Sequence, residues 1–488
     1  MLELQQAIIE PNIRSKTIKD AEEELPFELK LGMQIHLVGI GGAGISAIAR
    51  VLLGRGFVVS GSDQQNNALT AALEEAGATI YQGHSAAHVE GAQVVVISSA
   101  IPESNPEVSA ARDAGIPVLK RSDFLGALMA DKIGIAVAGT HGKTTTTGMI
   151  TQMLLHAEKD PTVILGGVLP SLGTNGRFGE SPYFIIEADE YDNMFLGLKP
   201  ELSVITNMEH DHPDIFPTWE AYESAYRQFA SLLPKDGRLI LCGDDSGAQK
   251  LLSDLKVDVT EITTYGISEN TTVDYRALDI RPNNIGGSDF LVETQGEILG
   301  LLRLRVPGDH NVLNGLAALI VGLDVGLDFI DIQRGLAEFG GVERRFQQLG
   351  EVNSVTIIDD YAHHPTEIKV NLAAAKQQFP GRQIWAVWQP HTFSRTKLLE
   401  AEFKQCFTDA DRLVVLDIYR SRETDDLGID MPDFVAAIEH PKVAFVPERE
   451  TAVSYILDRI KPNDVVLTLG AGDGNMVGQW LLEALQKR

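Results

Sequence analysis

Along the chain, short apolar runs alternate with stretches of helical periodicity. Ile35–Val38 is the first such run, and a Gly-rich turn and a helix from about Ala43 are predicted to follow it. Phe57–Ser60 and Val94–Ile97 read as further strands of this block. Ile133–Ala138 opens a second block, with strands predicted at Tyr183–Ile186 and Ser203–Ile205. Residues 271–306 alternate more strictly, as added antiparallel strands do, and a helix is predicted from about Asn311. A third block has strand candidates at Thr356–Ile358, Ile384–Val387, Leu413–Leu416, Val443–Phe445 and Val465–Leu467, with helical stretches between them. This alternation indicates parallel α/β domains. The expected division is an N-terminal extension over 1–32 and three domains over 33–130, 131–340 and 341–488, the last boundary set by Gly340–Gly341.

Length agrees, because 488 residues make about three domains at roughly 100–200 residues each. No apolar stretch approaches ~18 residues, so no membrane insertion is expected. The first 32 residues lack a basic start and an apolar core and carry Glu22, Glu23 and Glu24, unlike a secretory signal. Cys242 and Cys406 are the chain's two cysteines and form no CxxC pair, which fits a reducing cytoplasm without disulfides. A formal net charge of −27 argues against nucleic-acid binding. A nucleotide substrate would need local backbone amides, a few Arg or Lys side chains, or Mg²⁺.

The stretch Gly139, Thr140, His141, Gly142, Lys143, Thr144 follows a strand and precedes a helix that continues through Thr145. That is the context of a phosphate loop. Glycines let amides approach phosphate, Lys143 reaches the β- and γ-phosphates, and the Thr144 hydroxyl suits Mg²⁺. Val137 stands where the general pattern has its first glycine, so this is a shorter GxxGKT form. A second Gly-rich turn, Gly39, Ile40, Gly41, Gly42, Ala43, Gly44, also links a strand to a helix, and Asp63 ends the next strand. It matches a dinucleotide fingerprint, but any pyrophosphate can use the same amides. Ser98 and Ser99 end another strand.

Acidic and imidazole groups cluster at strand ends: Glu187, Asp189 and Glu190 in one place, Asn207, Asp211 and His212 in another. Ligands of open parallel sheets sit there, so Glu187 and His212 are expected near the phosphate loop, where they could complete a Mg²⁺ site. In DHNVLN, spacing alone assigns Asp309 to a helix cap and Asn311 and Asn314 to surface polarity, though their amides could read an adenine edge. Arg344 and Arg345 stand at a domain boundary, either as a phosphate clamp or as a solvated basic pair. Asp360 could bond a ribose, Pro365 can start a helix, and Arg395 could pair with a carboxylate. His363 and His364 are weak candidates alone, because a satisfied structural histidine is commoner, and His391 follows another strand together with Arg395. The late GAGD at Gly470–Asp473 reads as a strand–helix turn.

Taken in order, GIGGAGIS, GTHGKTTTT, EADEYD, ITNMEHDH, DHNVLN, ERRFQ, DDYAHHPTE and QPHTFSRT resemble the Mur ligases of bacterial cell-wall synthesis, over nearly the whole chain beyond the extension. The resemblance implies a Rossmann-like first domain, a P-loop ATPase-like central α/β domain and a Rossmann-like third domain. It implies that Gly39, Gly41, Gly42, Ala43, Gly44, Asp63, Ser98 and Ser99 hold UDP-N-acetylmuramate. ATP would lie on Gly139–Thr145, with Asn311 and Asn314 at the adenine, Asp360 at the ribose and Arg345 at the γ-phosphate. Mg²⁺ would be held by Thr144, Glu187 and His212. Lys143, Glu187, His212 and Arg345 would carry catalysis, and His363, His391, Arg395 and Tyr419 would form the amino-acid pocket.

GIGGAGIS and DDYAHHPTEI resemble the branch that adds L-alanine, whereas EADEYD, with Tyr191, and DHPDIF, with Pro213, resemble the branch that attaches a ready-made tripeptide. No Lys lies between His212 and Lys235, so the carbamylated lysine of several relatives is not expected. The implied chemistry is acyl-phosphate formation followed by aminolysis, in a monomer or homodimer. An NAD-dependent oxidoreductase and a non-ligating sensor of UDP-muramyl compounds are the competing readings.

Overall fold

The structure is a computed structural model that describes residues 29–255 and 261–487. Most of the expected N-terminal extension, residues 1–28, lies outside the described residues. Three sheets follow one another along the chain. The first contains β1 (Gln34–Val38), β2 (Val58–Asp63), β3 (Thr79–Gln82), β4 (Val94–Ile97) and β5 (Val118–Lys120), parallel and in the order β3-β2-β1-β4-β5.

The second contains β6 (Ile133–Ala138), β7 (Thr162–Leu169), β8 (Thr174–Arg177), β9 (Tyr183–Glu187), β10 (Leu202–Ile205), β11 (Arg238–Cys242), β12 (Glu261–Gly266), β13 (Tyr275–Pro282), β14 (Ser288–Thr294) and β15 (Glu297–Arg303). Their order is β15-β14-β13-β12-β11-β10-β6-β9-β7-β8. β13, β14 and β15 pair antiparallel, as the stricter alternation over 271–306 predicts. The third contains β16 (Gln347–Val352), β17 (Val355–Asp360), β18 (Ile384–Trp388), β19 (Arg412–Val415), β20 (Val443–Phe445) and β21 (Val465–Leu469), in the order β16-β17-β21-β18-β19-β20. Only β16 is antiparallel there.

β4 and β18 are buried at every position, which explains their unbroken apolar runs, because helices cover both faces of a parallel sheet. The helix Ala43–Arg55 buries Ile45, Ile48 and Leu52 and stops at Gly56, whose φ of 91° only glycine adopts readily. β2 runs on to Asp63, further than the predicted Phe57–Ser60, because Ser62 and Asp63 still pair with β3. β7 and β8 were not predicted; Gly166 and Gly167 interrupt the pattern there. This hairpin docks on the first domain: Asn175 Nδ2 donates to Ala43 O at 2.8 Å and Ser46 Oγ at 3.0 Å. One apolar cluster accordingly joins Ile35, Ile48 and Val94 of the first domain to Phe184, Ile205 and Phe229 of the second. Among the described residues, no helix is long and apolar enough to cross a membrane.

Candidate active site between the second and third sheets

β6 ends at Ala138, and the helix Lys143–His156 starts five residues later. Gly139 and Gly142, at φ 134° and 81°, make the turn between them. The loop is stitched to the segment after β10: Thr140 N donates to Asn207 O at 3.0 Å and His141 N to Asn207 Oδ1 at 2.9 Å. Lys143 folds back over the loop, donating to Gly139 O at 2.6 Å and Glu190 Oε2 at 2.9 Å. Burial pulls the ammonium pKa down, but Glu190 and Asp189 outweigh it and leave it raised. Thr144 Oγ1 donates to Glu187 Oε1 at 2.9 Å, and Gly166 N donates to Glu187 Oε2 at 2.7 Å. Arg345 reaches across from the third domain, with Nη2 3.4 Å from Thr144 Oγ1.

Thus Lys143, Thr144, Glu187 and Arg345 converge. His212 sits differently, with Nε2 3.8 Å from Glu190 Oε1 and 3.7 Å from Asp211 Oδ2. A cavity beside the loop is lined by Gly142, Thr145, Asn311, Asn314, Arg345 and Asp360, among others. The surface-polarity expectation for the two asparagines is corrected, because both are buried. Asn314 Nδ2 donates to Asn311 Oδ1 at 3.1 Å, and a Cβ on Gly142 would lie 2.6 Å from Asn314 Oδ1. The expected Asp309 cap is also corrected: Gly308 is the cap residue and Asp309 the first residue of the helix Asp309–Asp324. Asp360 lines the cavity, but its oxygens already accept from Phe346 N at 2.6 Å and Ala362 N at 2.7 Å. Burial, only partly offset by Arg345, raises its carboxyl to about 7. Arg344 turns away to Asp359, at 3.2 Å, and to Gly470 O, at 2.8 Å.

In the third domain, His363, His391, Arg395 and Tyr419 are neighbours. The rings of His363 and His391 are 5.9 Å apart, and His391 stacks on Tyr419 at 5.6 Å. Arg395 does find a carboxylate, Asp211 of the central domain, with Nε and Nη2 both 3.0 Å from Oδ1. Burial and the adjacent Arg395 push His363 down to about 3 and His391 to about 4. In the first domain Asp63 closes its own Gly-rich loop, accepting from Gly41 N at 2.9 Å. Ser98 packs behind Gly39, and Ser99 is exposed beside it.

Three family models match in succession: the Mur ligase family catalytic domain over 34–133, the Mur ligase middle domain over 137–322, and the Mur ligase glutamate ligase domain over 344–472. The chain belongs to the Mur ligase family. It is therefore an ATP-dependent ligase, which sets aside the oxidoreductase and sensor readings. A relative from Geotalea daltonii, named UDP-N-acetylmuramate–L-alanine ligase, is 43% identical over 93% of this chain and 98% of its own. The crystal structure of the UDP-N-acetylmuramate–alanine ligase of Thermotoga maritima is 30% identical, covers 93% of this chain and 99% of its own, and superposes with a TM-score of 0.78. A murein peptide ligase from Psychrobacter arcticus is 26% identical, with 94% and 99% covered and a TM-score of 0.71.

This Mur ligase also holds residues at its site that spacing did not single out. Arg121, at the start of the helix Arg121–Met129, lies against Gly44 and pairs with Asp189 at 3.3 Å, linking the first Gly-rich loop to the acidic segment after β9. Its position at a strand end was the available signal. Glu209 and Glu367 flank His141, at 2.8 Å from Nε2 and 3.2 Å from Nδ1. Burial lowers the His141 pKa, but these two carboxylates outweigh it and raise it to about 9. Nothing in the local pattern marks that triad, because Glu367 comes from another domain.

Proposed function

We propose that this chain joins L-alanine to the carboxylate of UDP-N-acetylmuramate, with ATP as the activating substrate, over domains 33–130, 131–340 and 341–488. The observation that carries the reading is the convergence of Lys143, Thr144, Glu187 and Arg345 from two domains on one loop. The relative named for L-alanine addition that is 43% identical over 93% of this chain favours it over tripeptide attachment, since the murein peptide ligases are 26% and 29% identical.

A carboxylate is a poor acyl donor, because oxide would have to leave. Its oxygen attacks the γ-phosphorus of ATP, ADP departs, and an acyl phosphate remains. The alanine amine then attacks the acyl carbon, and phosphate leaves. Lys143 exchanges its carbonyl and Glu190 contacts for phosphate oxygens, and Arg345 neutralises the transferring group from the opposite side. The Gly39–Gly44 amides hold the UDP pyrophosphate, and Asp63 keeps that loop in shape. Asn311 and Asn314 face the adenine and Asp360 the ribose. His363, His391, Arg395 and Tyr419 line the amine's pocket, and the third domain excludes water from the acyl phosphate.

Mg²⁺ fits the Thr144 hydroxyl and Glu187 carboxylate, which are hard oxygen donors 2.9 Å apart. Bound there, it would offset phosphate charge. His212 completes this set only by exchanging Glu190 for the ion. Incubation with ATP, Mg²⁺, UDP-N-acetylmuramate and either L-alanine or the tripeptide, followed by mass measurement, tests the reading. An L-alanine adduct that Lys143→Ala abolishes is expected. No adduct refutes ligation, and an adduct with tripeptide alone moves the chain to the recycling branch.

A further inference from the structure

The cavity that Thr144, Asn311 and Arg345 line also holds a second group of nitrogen and oxygen donors. His141 and Glu209 come from the central domain, and His364 is the cap residue of the helix Pro365–Gln378 in the third. One donor atom from each of the three lies within 4.8 Å of the others. Glu209 Oε2 is 2.8 Å from His141 Nε2 and 3.5 Å from His364 Nδ1, and the two rings stand 4.7 Å apart. Two donors on a tetrahedral ion, each about 2.0–2.2 Å from it, stand roughly 3.3–3.5 Å apart. The His364 pair already meets that spacing, and the His141 pair reaches it by opening about half an ångström.

The surroundings also suit an ion. Glu367 Oε1 stands 3.2 Å from the other nitrogen of His141, as carboxylates do behind a ligating imidazole to fix its tautomer. Thr366 Oγ1 donates to the other oxygen of Glu209 at 3.0 Å. His364 Nδ1, the nitrogen that faces Glu209, accepts the helix-capping bond from Thr366 N at 3.3 Å, a weak contact that an ion would replace. Two imidazoles with one carboxylate favour Zn²⁺, Co²⁺ or Ni²⁺ over Mg²⁺, which prefers an all-oxygen shell.

We propose that His141, Glu209 and His364 form a binding site for a divalent transition ion such as Zn²⁺, built from donors other than the Thr144–Glu187 pair, that clamps the third domain onto the phosphate loop. The ion takes the place of the proton between His141 and Glu209, and that proton is released to solvent. Because His141 belongs to the loop and His364 to the third domain, the occupied site resists opening and slows turnover. The clamp rests on the ligase reading; the binding does not.

Full-length protein is dialysed free of metal and titrated with zinc chloride without substrates, with bound zinc counted by elemental analysis. One tight equivalent is expected. His364→Gln and Glu209→Gln should each weaken it at least tenfold while keeping the wild-type circular dichroism. His156→Gln, whose ring pairs with Glu338 elsewhere, should leave it unchanged. Equal zinc binding by wild type and His364→Gln, or no tight equivalent in wild type, overturns the site. Under saturating Mg²⁺, zinc should inhibit the wild-type ligase reversibly with EDTA and inhibit His364→Gln at least tenfold less. Equal inhibition of the two overturns the clamp. A wild type that binds zinc but ligates nothing refutes the ligase reading and leaves the site standing.

Discussion

Replacing Arg395 by Met tests how the third domain is held on the second. Arg395 and Asp211 are 6% and 5% exposed and meet at 3.0 Å, while Arg395 Nη1 is 3.1 Å from His391 Nδ1. Methionine keeps much of the side-chain volume and removes the charge, leaving Asp211 buried opposite His212, His363 and His364. Breaking a buried pair on one side costs about 3–5 kcal/mol, chiefly the desolvation of the abandoned charge. Removing both charges, with Asp211→Asn added, should recover more than half of that loss.

Urea unfolding of the wild type, the two single variants and the double variant measures this coupling. Burial raises the Asp211 pKa, but Arg395 and the nearby histidines outweigh it and hold it well below 3.8. A depressed carboxyl stabilises the fold above its unfolded pKa and loses that contribution as pH falls through the lower folded value. The gap between wild type and Arg395→Met should therefore narrow on acidification below about pH 4. A loss under about 1 kcal/mol, or losses that simply add in the double variant, would refute this account of the pair.

Gly142→Ala places a Cβ where φ is 81° and Asn314 Oδ1 is 2.6 Å away, so a loss of about 1–3 kcal/mol and a raised KM for ATP are expected; wild-type melting and ATP kinetics would contradict it. Glu187→Gln removes the charge that faces Thr144 and Gly166. Its Mg²⁺ activation curve should move up roughly tenfold or more, and an unmoved curve sinks the assignment. His141, raised from 6.5 to about 9, stabilises the fold fully below pH 6.5 and loses that stabilisation as pH rises through about 9. Urea unfolding across this window should show a fall on the order of 3 kcal/mol that His141→Asn lacks; equal slopes would exclude the imidazolium bridge.

Much of the architecture was legible because buried parallel strands need apolar residues on both faces. Ile133–Ala138 matches β6 residue for residue, as Val443–Phe445 matches β20. The phosphate loop was equally legible, since positive-φ glycines and a Lys–Thr pair at a helix start are local requirements. β7 and β8 were not, because two adjacent glycines blur the alternation and a docking contact with the first domain holds the hairpin. Asn311 and Asn314 looked like surface residues, since i, i+3 spacing defines a helix face without saying whether that face is covered.

By itself, the sequence determined the backbone periodicity, the two Gly-rich turns and which polar side chains stand at strand ends. Those are consequences of sterics and pattern within a few residues. Only the tertiary structure decided who meets whom: Arg345 with Thr144, 201 residues apart, and Arg395 with Asp211, 184 apart. Hydrogen bonds and charge pairs depend on separation in space, at about 3 Å. Chain spacing says nothing of that distance until the sheets stack and the third domain lies over the second.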